Sequence, residues 1–282
     1  MINIITSGCS FTHDPDSWAN KLKDKLPSNY NVINVAEGGC GQEFIVRSAI
    51  IELQKISEPK ICMVQLSGFW RSQIHLDVLE HPELFEKVKF ERKDFDARFS
   101  YGFDVDDLII LKTTDLHHDW WAKGAYRSTK NIMKNYNEAV SHDQRLLWSY
   151  ENISRLQMYC KINKIPLFCF YGWQGIETKP YNKKLVELVR PQVDWDSIWF
   201  HKDGGGMAEW MLDHGHTGKL EEDHTNKPPR GFSIETGYKW SPKSNASAKE
   251  KSEWKVMVGH PTPEAHDDFC NQIIIPWIKQ ND

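Results

Sequence analysis

The chain has 282 residues, of which 26% are charged and 40% apolar, with a formal net charge of −4 and a pI near 6.3. That length and apolar content support one large domain or two small ones and exclude wholesale disorder. The slightly acidic balance argues against a protein that grips nucleic acid or an anionic membrane by Coulomb attraction.

No apolar run approaches the roughly 20 residues that span a bilayer. The first eight residues lack a basic stretch followed by a long apolar one, so no signal peptide is expected. Six cysteines (Cys9, Cys40, Cys62, Cys160, Cys169 and Cys270) include no C-x-x-C pair. They are expected to be buried, reduced thiols of a soluble cytoplasmic protein.

Residues 2–7 form a short apolar run ending at Gly8, which predicts a buried strand. Trp18, Leu22 and Leu26 follow at helical spacing, and Pro27 stops the run. Residues 31–36 predict a second strand, followed by Gly38, Gly39 and Gly41. Ile45, Ala49, Leu53 and Ile56 then line one face of a helix that ends before Pro59, and residues 60–66 predict a third strand. Alternation of strand and helix implies a parallel sheet with helices on its faces. In such sheets the site lies at the carboxyl ends of the strands, so the loops at Gly8, Gly38 and Ser67 should cluster.

Residues 72–128 show no sustained period and read as an excursion over the sheet. A long helix is expected over about 131–162, a fourth strand over 165–171, a short helix over 181–189 and a weak fifth strand over 197–200. Residues 201–258 are rich in Gly, Lys, His and Ser, and read as a lid or insertion within a single domain. The chain closes with a helix capped by Thr262, with Pro263 at its first position and Glu264 at its positive end. Ala265, Phe269 and Ile273 should make its buried face.

Two short segments carry chemistry. Gly8-Cys9-Ser10-Phe11-Thr12 puts a serine where the first strand ends, with its hydroxyl at the rim of the sheet. The bland alternative is a turn or helix-cap serine. Gly259-His260-Pro261-Thr262-Pro263 puts a histidine just before a capped helix. Imidazole titrates near neutrality, which suits it to take the proton of a serine nucleophile.

Together these pieces resemble the SGNH (GDSL-like) hydrolases. Gly8-Cys9-Ser10 is similar to that family's first block, with Cys9 where aspartate is usual. Asn34-Val35-Ala36-Glu37-Gly38-Gly39-Cys40-Gly41 is similar to the second. Gln65-Leu66-Ser67-Gly68-Phe69-Trp70-Arg71 looks like a variant third block with Ser67 in place of asparagine, and His260-Pro261 matches the last. The resemblance covers roughly residues 1–71, 164–200 and 259–280.

It implies a flavodoxin-like three-layer α/β/α sandwich around a central parallel sheet. It also implies acyl transfer by Ser10 with His260 as base. The N–H groups of Ser10 and Gly39 (or Gly38), with the Ser67 hydroxyl, would hold the oxyanion. Arg71 would bind the substrate, and no cofactor or metal is called for. The aspartate that family places three residues before the histidine is here Met257, so Asp223, Glu253 or Glu264 would have to supply the acid, or none does. The implied partner is a small-molecule or glycan ester. Any one of the many tryptophans, including Trp120, Trp121, Trp195, Trp210, Trp240 and Trp254, reads more readily as a core residue under a long loop, but together with the polar insertion they tilt the substrate toward an acylated carbohydrate.

Two other readings compete. Residues 201–224 hold His201, Asp203, Asp213, His214, His216 and His224, donor types that can bind zinc in a metal-dependent hydrolase. A non-catalytic binding module on the same fold is the other.

Overall fold

The computed structural model describes residues 1–38, 40–57, 60–68, 72–77, 108–113, 139–173, 183–216, 231–233, 256–258 and 261–282. The first strand, β1 (Ile2–Ser7), is buried from Ile4 onward. It leads through Gly8 and Cys9 into a one-turn helix, α1 (Ser10–His13), and then α2 (Trp18–Lys25). β2 (Tyr30–Asn34), α3 (Gln42–Lys55) and β3 (Lys60–Leu66) follow, so the first three predicted strands and the two helices between them are all present.

After β4 (Ser72–Asp77) and β5 (Leu108–Thr113) come α4 (His142–Ile162), β6 (Leu167–Tyr171), α5 (Lys183–Val189) and β7 (Ile198–Trp199). The rest comprises α6 (Met207–Asp213), β8 (Gly231–Ser233), β9 (Val256–Val258), α7 (Pro263–Phe269), a π turn (Cys270–Ile274) and α8 (Ile275–Asn281).

Among the described residues five strands form one all-parallel sheet in the order β2-β1-β3-β6-β7. Counting only these strands, the chain order across the sheet is 2-1-3-4-5, the flavodoxin-like order, and the fold is α/β of that type. Cys62, Met63, Val64, Gln65 and Leu66 of β3, which point alternately to the two faces of the sheet, are all fully buried. Burial of both strand faces is what a parallel sheet covered by helices requires.

Helices α3 and α4 pack together on one face, and α2 and α7 on the other. On the first face the Ser7 hydroxyl donates to the Ile45 carbonyl of α3 at 2.8 Å. On the second, the Phe170 ring meets Trp18 of α2 at 5.3 Å and Phe269 of α7 at 5.2 Å. These contacts make three layers with one aromatic core beneath the second helix layer.

The structure departs from the sequence expectations in three places. The excursion after residue 72 contains an antiparallel pair, β4 with β5, in the register Ser72↔Thr113 to Asp77↔Leu108. The segment 201–258, read from sequence as a lid or insertion, begins with a helix that is part of the core. Met207, Ala208, Trp210 and Met211 of α6 are buried, and Trp210 packs edge-on against Phe269 at 5.2 Å. A short antiparallel pair, β8 with β9, follows later in that segment.

The last helix also differs. Its π turn adds one residue to the helical repeat, so the buried face that passes through Phe269 and Cys270 continues at Ile274 rather than Ile273. Ile273 is only partly buried.

Candidate functional site

The order of strands reverses between β1 and β3, which opens a crevice at their carboxyl ends. Ser10 stands there as the first residue of α1, half-buried, with Cys9 as N-cap. Among the described residues its hydroxyl has no hydrogen-bond partner and is not sealed from solvent.

The turn that delivers Ser10 is fixed by Gln65. Its side-chain oxygen accepts from the Cys9 backbone N–H at 3.1 Å, the Cys9 thiol at 3.2 Å and the Thr12 hydroxyl at 3.2 Å. Its amide nitrogen donates to the Leu66 carbonyl at 2.6 Å. The Thr12 hydroxyl also accepts from the Trp18 indole N–H at 3.0 Å, while the Thr12 carbonyl accepts from Ser17 at 2.7 Å and Asn34 at 2.8 Å. Gly8 is required because a Cβ there would lie 2.2 Å from the Thr12 hydroxyl oxygen and 2.9 Å from the Gln65 oxygen. A buried amide in the middle of an apolar strand is therefore the clamp on Ser10, and its placement in Ile61-Cys62-Met63-Val64-Gln65-Leu66 was the sequence signal for it.

The segment after β2 wraps over the end of β1. The Glu37 N–H donates to the Gly8 carbonyl at 3.2 Å, and Val35 N–H to Thr6 at 2.8 Å. Gly38 is thereby brought beside His13 of α1, whose ring carbon Cδ2 would lie 4.0 Å from a Cβ at position 38. At the end of β3, Ser67 is 1% exposed. Its hydroxyl donates to the Cys40 carbonyl at 2.9 Å, and its backbone is bracketed by the Gln42 amide at 2.7 and 3.3 Å. The single hydroxyl proton of Ser67 is thus directed at the protein rather than at the crevice. Ser10, Gly38 and Ser67 sit at the ends of neighbouring strands. Gly39, Arg71 and His260 lie outside the described residues.

The helix that follows His260 in sequence is fastened to the one that follows Ser10. Thr262 caps α7 by accepting from the Ala265 N–H at 3.3 Å. One turn on, the buried His266 accepts at Nδ1 from the Trp18 backbone N–H at 3.1 Å. Cys270 donates through its thiol to the Trp18 carbonyl at 3.0 Å. Asp267 pairs with Lys25 at 2.9 Å, and that hydrogen bond holds its carboxyl below the usual range.

Of the three candidate acids, Asp223 and Glu253 lie outside the described residues. Glu264 is in the first turn of α7, its carboxyl kept low by its own backbone N–H and then by Thr262.

The described histidines of the 201–224 segment, His201, His214 and His216, each take a separate partner rather than converge. His201 Nε2 lies 2.8 Å from Asp213 Oδ2, and this hydrogen bond is the main reason the Asp213 carboxyl is held down. His214 bonds the Trp210 carbonyl through Nδ1 at 2.7 Å and stacks on its ring at 4.1 Å. His216 Nε2 is 3.0 Å from Asp268 Oδ2, close enough for an ion pair but not aligned as a hydrogen bond. Among the described residues no three His, Cys, Asp or Glu side chains gather as a metal-binding group. His224 lies outside them. Trp210 is buried and Trp195 partly so. Trp120, Trp121, Trp240 and Trp254 also lie outside the described residues.

All six cysteines are free and buried. The neighbouring Cys160 thiol, and then burial, raise the Cys62 thiol pKa well above the ordinary value. No described helix is long and apolar enough to cross a membrane. No family model matches the chain, and neither a curated protein nor a solved structure matches it significantly.

Proposed function

We propose that the chain is a serine esterase of the SGNH type, with Ser10 as nucleophile and His260 as its base. One observation carries this reading. Ser10 presents an unengaged hydroxyl at the carboxyl edge of β1, beside the strand-order reversal, on a turn clamped by Gln65. A nucleophile must be accessible yet held in one place, and Gln65 and Thr12 supply the holding.

The fastening of α7 to the start of α2 through His266 supports a His260 within reach, because Pro261 and Thr262 immediately precede that helix. In the proposed step the Ser10 oxygen bonds the ester carbonyl carbon while His260 takes its proton. The ester C–O bond then breaks, and the same proton goes to the leaving alcohol. Water repeats the sequence to free the acid and restore Ser10. The six buried, unpaired thiols support a reducing, cytoplasmic setting.

A second reading, a ligand-binding relative without chemistry, is favoured by Ser67. Its hydroxyl donates to Cys40 and does not offer the expected oxyanion donor. The loss of one such donor typically costs about 10²–10³ in turnover. The test is hydrolysis of 4-nitrophenyl acetate by the wild type and Ser10→Ala. The esterase reading expects activity in the first and background in the second, with an unchanged circular dichroism spectrum. Equal rates in the two would exclude Ser10 as nucleophile.

A further inference from the structure

His13 is the one chemistry-bearing side chain of the Ser10 helix that the proposed mechanism does not use. It lies three residues after Ser10 on α1, and residues at that spacing share a helix face with Cβ atoms about 5–6 Å apart. The turn is a formed one, since His13 N–H bonds Cys9 at 3.0 Å and Asp14 N–H bonds Ser10 at 3.1 Å.

The imidazole is oriented. Its Nδ1 lies 3.0 Å from the Ala36 carbonyl oxygen. A carbonyl can only accept, so the proton of the neutral ring is on Nδ1 and Nε2 carries a lone pair. Among the described residues Nε2 has no hydrogen bond, and the side chain is 49% exposed. The Glu37 carboxylate stands 4.0 Å from Nδ1, so among the described residues the groups beside Gly38 at this point of the rim are hydrogen-bond acceptors. Acceptors at this point beside the nucleophile suit a substrate that brings hydroxyl donors.

Building on the serine-esterase reading, we infer that His13 Nε2 accepts a hydrogen bond from a free hydroxyl of the leaving group. The preferred substrate is then an acyl ester of a polyhydroxylated alcohol, such as a partly acetylated sugar. His13 on this account sets specificity and leaves the proton of Ser10 to another group.

The test uses the full chain with two probes, 4-nitrophenyl acetate and a partly acetylated xylo-oligosaccharide, in the wild type, His13→Phe, His13→Gln and Ser10→Ala. His13→Phe keeps the ring plane but removes both nitrogens. It should raise KM for the sugar ester at least ten-fold, with kcat and the aryl-ester kcat/KM within two-fold of wild type. His13→Gln places a carbonyl oxygen near the Nε2 position and should recover most of the loss.

An unchanged sugar-ester KM in His13→Phe, equal losses on both probes, or a wild type that cleaves only the aryl ester would overturn the inference while Ser10 dependence stands. A wild type no faster than Ser10→Ala on either probe would remove the serine-esterase reading and this inference with it.

Discussion

At the residue scale, the position of Ser10 depends on one amide. Gln65, the penultimate residue of β3, ties that strand end to Cys9 and Thr12, and a buried donor left unpaired there would have no water to replace its partner. Gln65→Leu keeps the volume but orphans the Cys9 N–H and the Thr12 hydroxyl. It should cost about 2–6 kcal/mol of stability, at about 1–3 kcal/mol for each of the two stranded groups. The check is a urea titration, in which an unchanged midpoint would show the clamp to be idle. Gly8→Ala should destabilise by about 1–3 kcal/mol, because its methyl enters the space of Thr12 rather than that of a flexible chain end.

At the element scale, the described strands of the sheet and most of its helices were legible, and the reasons are local. β1 and β3 are continuous apolar runs closed by turn residues, and α3 carries a clean stripe from Ile45 to Leu53. α6 was not legible. It has seven residues, and its apolar cluster sits in a stretch otherwise dominated by Gly, His and Lys, so composition masked it. Its start is fixed by a contact no periodicity reports: Glu209 accepts from the Gly206 N–H at 2.8 Å. The β4–β5 pairing joins segments about thirty residues apart in sequence, and register over that distance leaves no mark in either strand alone.

The π turn was hidden for a similar reason, since Phe269 and Ile273 obey a 3.6-residue period that the backbone abandons at Cys270. It makes a sharp prediction. Ile274→Ala should cost about 2–5 kcal/mol as a fully buried truncation, and Ile273→Ala clearly less, as read by thermal unfolding. The reverse order would restore the regular helix.

The candidate site was half legible. Ser10 announces itself by position after a strand, and Gly38 and Ser67 by the ends of their strands. What the Ser67 hydroxyl bonds was not written in its neighbours, because its partner, the Cys40 carbonyl, is a backbone group 27 residues away.

At the scale of the whole molecule, α2 near the start of the chain and α7 with its π turn near the end act as one unit through Trp18, His266, Cys270 and the Lys25–Asp267 pair. The Asp267 carboxyl is lower in the folded chain than in the unfolded one, where aspartate titrates near about 3.9. Its contribution is therefore fully present above about pH 4–5 and is lost as pH falls through the folded value. The pair is partly exposed, so the contribution is modest, below about 1 kcal/mol. Asp267→Asn should lower stability slightly at pH 7 and flatten the loss of stability below about pH 4. An acid limb identical to wild type would show the pair to be screened out.

The buried thiols give a second global readout. With all six cysteines free and enclosed, an aromatic disulfide reagent should titrate fewer than one thiol per native chain and six after denaturation. Rapid reaction of two or more in the native state would mean the layers open.

The central claim is that Ser10 is an activated nucleophile whose activation depends on His260. The direct measurement is labelling by a fluorophosphonate, followed by peptide mass analysis, in the wild type, Ser10→Ala and His260→Ala. The account predicts a single adduct on the Ser10 peptide of the wild type, absent from the first variant and slowed at least about 10³-fold in the second. A wild type left unlabelled, or labelled at Ser10 equally fast without His260, would contradict it.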